Sequence, residues 1–212
     1  MIDLYTWTTP NGRKASIMLE EVGLDYTEFP IDIRKGDQKT PDYLAMNPNG
    51  KIPVIVDHDG PGGGDYVVFE SGAILMYLAE KTGSDLLPAE PRARMDTIQW
   101  LMFQMGGIGP MLGQAHVFLF KPKEVVPFAQ KRYHDETLRL YGVMNGRLGQ
   151  CEYLAGDAYS IADVATYPWI SRHTHHDVKL EDFPNVLRWY DSVGARPAVQ
   201  RGMRTLGKAP DA

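Results

Sequence analysis

The feature that most limits what this chain can fold into is a change of character at LLPAEP, residues 86–91. Before it, strand-like and helix-like pieces alternate; after it, only helical spacing is found. The segment itself holds two prolines and a charge, and helices stop before an X-Pro step, so it reads as a linker. The expected architecture is a small α/β domain over 1–83, a linker at 84–91 and an all-α domain over 92–212.

In the first part, residues 2–7 read as a strand. After it Ala15, Met18, Leu19 and Val22 fall at helical spacing, with Pro10 tolerated in the first turn. A second strand is expected at 26–33, and 53–57 and 66–70 are short apolar runs joined by HDGPGGGD as a long hairpin loop. The order is β-α-β, a short helix, then a β-hairpin. A further helix begins at Ser71, with Ile74, Leu75, Leu78 and Ala79 on one face, and should end near Gly83. Beyond the linker, helical spacing covers 98–105, 125–148, 161–173 and 186–193. The closing GKAPDA reads as a frayed tail.

Charge narrows the partners. The formal net charge is -5 and there is no Lys/Arg run, which argues against nucleic acid or an anionic membrane, since both need clustered positive charge. The most apolar stretch, WLMFQMGGIGPML at 100–112, is too short and too broken by Gln104, Gly106, Gly107, Gly109 and Pro110 to span a bilayer. It reads as a core or interface helix with a kink. MIDLYTW has no basic leader and carries Asp3 in its apolar run, so no signal peptide is expected. With Cys151 alone, no intrachain disulfide can form, which suits a reducing, cytoplasmic location.

Several motifs have a plain structural reading. GPGGG at 60–64 is followed by a strand, whereas a phosphate loop needs a helix and a Lys-Ser/Thr pair, so a hairpin connection is preferred. No serine sits in GxSxG. RHTHHD at 172–177 could set His173 and His176 on one face near Asp177, but no second ligand cluster accompanies it and no metal is expected. YSIADVA at 159–165 matches a capping box, with Ser160 and Asp163 both engaged by backbone amides. Pro53 starts a buried strand. In FESGAI, Glu70 and Ser71 open a helix. Ser71 serves there either as a simple cap or, with Glu70, as a site for an anionic group and a nearby ammonium.

The strand-to-helix turn WTTPNGRK, residues 7–14, offers threonines, a proline and an asparagine but no thiol. Together with Pro53 beginning the third strand, Glu70-Ser71 beginning a helix and an all-α half behind, the chain resembles the cytosolic glutathione transferases. TPNGRK, QKTPDYL, NPNGKIPVIVDH, FESGAILMYLAEKTG, QWLMFQMGGIGPMLGQ and YSIADVATYPWI are similar to the bacterial nu-class members, which are glutathione-dependent disulfide-bond oxidoreductases.

That resemblance implies a thioredoxin-like first domain, a cis peptide before Pro53, and a thiol that arrives with glutathione. It places the Thr9 hydroxyl and Asn11 amide beside the glutathione sulfur as catalytic groups. It assigns glutathione contacts to Asn11, Gln38, the Ile52 backbone, Glu70, Ser71 and, for a second glutathione, Arg132, and Lys51 is a candidate partner for the glycyl carboxylate. It also implies a homodimer, for which the apolar helix around Met102 and Met105 offers a surface. From the residues themselves, Thr9 serves equally as a helix cap, and Lys51 and Arg132 as solvated charges. The implied activity is disulfide reduction through glutathione, held as two reduced molecules or one oxidised one, without a metal. Conjugation of glutathione to electrophiles, beside residues 100–111, and a non-catalytic binding role are the alternatives.

Overall fold

The computed structural model describes residues 1–207, so the tail expected at GKAPDA lies outside the described residues apart from Gly207. The chain divides into two units, Met1–Ser84 joined by the segment from Arg196, and Asp85–Ala195.

In the first unit, β1 (Ile2–Thr6), β2 (Tyr26–Pro30), β3 (Val54–Asp57) and β4 (Tyr66–Phe69) form one four-stranded sheet in the order β2-β1-β3-β4. The β1–β2 pair is parallel, and β1–β3 and β3–β4 are antiparallel. Alternate residues of β1, Ile2, Leu4 and Thr6, are buried, as the two-residue period of a strand requires. β2 stops at Pro30, short of the expected 33, because its partner β1 ends at Thr6. Three helices complete this part: α1 (Pro10–Val22), α2 (Pro41–Met46) and α3 (Ser71–Thr82). α1 and α3 end on Gly23 and Gly83, both in the left-handed conformation that a Cβ disfavours. The GPGGG stretch is the β3–β4 loop, with Gly62, Gly63 and Gly64 all at positive φ.

The second unit is helical: α4 (Pro91–Phe103), α5 (Gly109–Leu119), α6 (Pro127–Leu148), α7 (Ile161–Ile170) and α8 (Pro184–Gly194). α4 begins well before the expected 98, because Glu90 caps it by accepting from the Arg92 and Ala93 amides at 3.0 and 2.7 Å. Within the kinked helix expected over 100–112 lies a π-helical turn, Gln104–Ile108, in which the Gly109 amide reaches back to the Gln104 carbonyl. Proline has no amide to continue the ordinary ladder, and the wider turn absorbs the loss, so α5 runs on to Leu119, beyond the expected 112. The capping box forms at Ser160. Its Asp163, fully buried, also accepts from the Leu154 amide at 3.0 Å and the Trp189 indole at 2.8 Å. α7 ends at Ile170, and the His run forms a one-turn 3-10 helix, His173–His176.

The last described helix, α9 (Pro197–Gly202), packs on α1 of the first unit, although the sequence division placed it with 92–212. Gly202 allows this: a Cβ there would overlap the Ile17 backbone. Buried Arg13 donates to the Met203 carbonyl at 3.1 Å, Ser16 and Thr205 hydroxyls meet at 2.6 Å, and Arg196 pairs with Glu21 at 2.8 Å. Covered by α3 and α9, α1 is buried from Gly12 to Leu19. Among the described residues no helix is long and apolar enough to cross a membrane.

Candidate functional site

The strand register brings one set of chain ends together. Pairing of Tyr5 with Val54 and of Val54 with Phe69 sets the end of β1, the start of β3 and the end of β4 side by side, and β2 ends there too. The segments leaving this edge of the sheet carry Thr9, Asn11, Gln38, Lys51, Ile52, Glu70 and Ser71. Seven of the eight expected site residues therefore belong to one edge of the first unit, whereas Arg132 lies on α6 of the second.

The turn after β1 is tight. The Thr9 amide bonds the Trp7 carbonyl at 2.7 Å, and a Cβ on Gly12 would overlap the Trp7 carbonyl and the Thr6 hydroxyl. Thr9 is the N-cap of α1, its hydroxyl oxygen accepting from the Gly12 amide at 3.2 Å. Capping uses the oxygen as acceptor and leaves the hydroxyl proton available, so the cap and a donor to an anionic sulfur are compatible roles. Asn11 follows in the first turn, half-buried.

Gln38 sits in a 3-10 turn, Asp37–Lys39, where its amide nitrogen donates to the Ile33 carbonyl at 3.3 Å and its Oε1 is buried with no partner among the described residues. Lys51 is exposed, but its carbonyl is fixed by the Tyr43 hydroxyl and the Asn47 amide, both at 2.7 Å. The Ile52–Pro53 peptide that follows is cis.

At α3 the cap position is Glu70, not Ser71. Glu70 holds φ 70° and ψ 115°, a conformation that costs a non-glycine residue about 1–3 kcal/mol, and its side chain makes no capping bond. Ser71, the first residue of the helix, is buried and accepts from Lys14 Nζ at 3.3 Å. Lys14 is 1% exposed; burial pushes it down to about 7, against the opposing pull of Glu70. Lys14 is not among the expected site residues. The signal was its place one turn before Met18, on the apolar face of α1.

In the second unit, Arg132 lines a cavity of about 650 Å³ with Met111, Phe128, Tyr133 and Arg139. Arg139 is engaged by Glu136 and Lys131 by Asp135, at 2.7 and 2.6 Å; Arg132 has no ion-pair partner among the described residues. The His run does not converge. His173 contacts the Val178 carbonyl at 2.9 Å and His176 is fully buried among aromatic rings, and no cluster of three metal-ligating side chains occurs among the described residues. Cys151 donates to the Tyr153 carbonyl at 3.0 Å, and burial pushes its thiol up, away from the reactive thiolate.

A thioredoxin-like unit with a cis-proline strand, followed by a helical unit, is the arrangement shared with glutathione transferases. The match to known sequences is explicit: the glutathione S-transferase N-terminal domain matches residues 8–81 and the C-terminal domain residues 109–197, and the chain belongs to this family. It is 48% identical to the disulfide-bond oxidoreductase YfcG of Escherichia coli, over 96% of this chain and 94% of that protein. Against YghU of the same organism the identity is 38%, over 95% of this chain and 73% of that one. A Burkholderia graminis glutathione transferase with two glutathione molecules bound per subunit is 47% identical, covers 96% of this chain and 88% of its own, and superposes with a TM-score of 0.89. A Pseudomonas putida one, with one glutathione disulfide per subunit, is 42% identical over 96% and 90% of the chains, also with a TM-score of 0.89.

Proposed function

We propose that the chain is a nu-class glutathione transferase that reduces disulfides with glutathione, using Thr9 and Asn11 as its catalytic groups. The observation that carries this reading is a strand-to-helix turn with two hydrogen-bond donors and no thiol, in a chain 48% identical to a disulfide-bond oxidoreductase. Asn11, Gln38, Lys51, Ile52, Glu70 and Ser71 hold the first glutathione. Glu70 faces its ammonium, and Ser71 with the start of α3 faces its γ-glutamyl carboxylate. Arg132 contacts the second glutathione, and its guanidinium, beside the cavity in the second unit and in no ion pair among the described residues, supports that role.

In the reaction a bound glutathione thiolate attacks one sulfur of the substrate disulfide, forming a mixed disulfide and expelling the other sulfur as a thiolate. A second glutathione thiolate then attacks the mixed disulfide, giving glutathione disulfide and the second product thiolate. Each product thiolate takes a proton released when a glutathione thiol ionises, so protons balance. Lowering the bound thiol by about two units from about 8.5 needs roughly 2.7 kcal/mol of preferential thiolate stabilisation, within reach of two donors and a helix N-terminus. The protein acts as a cytoplasmic homodimer in this reading, with Met95 and Met102, both exposed on α4, as apolar surface for the second subunit.

Parallel rate assays with glutathione and either a dialkyl disulfide or an aryl halide test the proposal. Fast disulfide reduction is expected, falling about 10- to 100-fold in Asn11→Ala and unchanged in Cys151→Ser. Dominant conjugation would identify an ordinary transferase, and failure to bind glutathione would point to a non-catalytic role.

A further inference from the structure

A buried lysine beneath the first turn of a helix is an expensive arrangement unless its charge is used. Lys14 reaches this place from α1, and its Nζ lies 3.3 Å from Ser71 Oγ. A charged ammonium has three donors and no acceptor, so in this pair Ser71 must accept. The serine hydroxyl proton is thereby left to point elsewhere. Ser71 opens α3, whose first amides already favour an anion, and Glu70 beside it adopts its positive-φ conformation without using its carboxylate as a cap.

We propose that Lys14 is a positioning residue for the γ-glutamyl end of glutathione: its ammonium fixes the Ser71 hydroxyl as a donor to the ligand carboxylate and adds buried positive charge behind the helix end. This rests on the reading that glutathione binds at Glu70 and Ser71. Lys14 never touches the ligand. The depressed proton affinity of Lys14 agrees with a charge that becomes fully populated when a carboxylate arrives in front of it.

The test is calorimetric titration with S-methylglutathione, which has no titrating thiol, into wild type, Lys14→Met, Ser71→Ala and the double variant. Lys14→Met should weaken binding about tenfold, as loss of a charge-assisted interaction does, and the double variant should bind little worse than either single one. An analogue lacking the γ-glutamyl carboxylate should bind wild type and Lys14→Met alike. Unchanged affinity in Lys14→Met, or losses that simply multiply, would overturn the lysine's role alone. Wild type that binds neither S-methylglutathione nor glutathione would instead overturn the reading of the site. Should Lys14→Met not fold, as thermal unfolding will show, the Lys14 Cε NMR signal of wild type gives the answer: it should move with S-methylglutathione and not with the analogue, and a signal unmoved by both counts against the proposal.

Discussion

Thr9 caps α1 through its oxygen, and in the proposed reaction its proton serves the glutathione sulfur. Thr9→Ser keeps both and should leave stability and rate close to wild type, whereas Thr9→Ala should cost about 1 kcal/mol of stability and lower the disulfide-reduction rate. Denaturant unfolding read beside the rate assay checks this, and an alanine variant with full activity would leave Thr9 as a cap only. The Thr9 cap was legible because a cap announces itself within four residues of sequence, whereas a place beside a sulfur for Thr9 and Asn11 was implied by the family resemblance alone. Lys14 was not legible: its burial comes from α3 and α9 closing over α1, and neither neighbour can be read from the residues around it.

At the scale of elements, the β3–β4 hairpin is fastened by an ion-pair clip. His58 bridges Asp65 at 2.7 Å and Asp3 of β1 at 3.1 Å, and these carboxylates, Asp65 foremost, raise its pKa. A histidine whose folded pKa exceeds its unfolded value of about 6.5 stabilises fully below that value, and loses the contribution as pH rises through the folded pKa. Thermal midpoints of wild type and His58→Gln should therefore differ at pH 5.5 and converge by pH 8.5; a constant difference would mean the ring acts by packing. Strand and helix identities in this unit followed from local period, and the hairpin from its glycines. The α4–α5 passage was legible as a kinked helix over 100–112, but not its π turn or its continuation to Leu119. What sustains the helix is the π turn together with close packing of Gly113 on the Trp169 ring, 3.3 Å from the position of a Cβ.

For the molecule as a whole, the division at LLPAEP was visible in the change of period, but the return of the chain after Arg196 was not. Its short α9 has little periodicity of its own, and its place is set by Gly202, Arg13 and the Ser16–Thr205 pair. Gly202→Val should drive α9 off α1 and lower the thermal midpoint by about 2–12 °C, in line with a cost of about 1–3 kcal/mol for overpacking. A midpoint within a degree of wild type would show that α9 adds little. The same return sets an order of events during synthesis. Domains ordinarily fold as they leave the ribosome, the N-terminal one first. Here α1 is made early, yet Arg13 and Ser16 find their partners only once Met203 and Thr205 have been translated. The unit that is begun first is thus finished last, and until then the nascent chain carries an uncovered helix face for chaperones to guard.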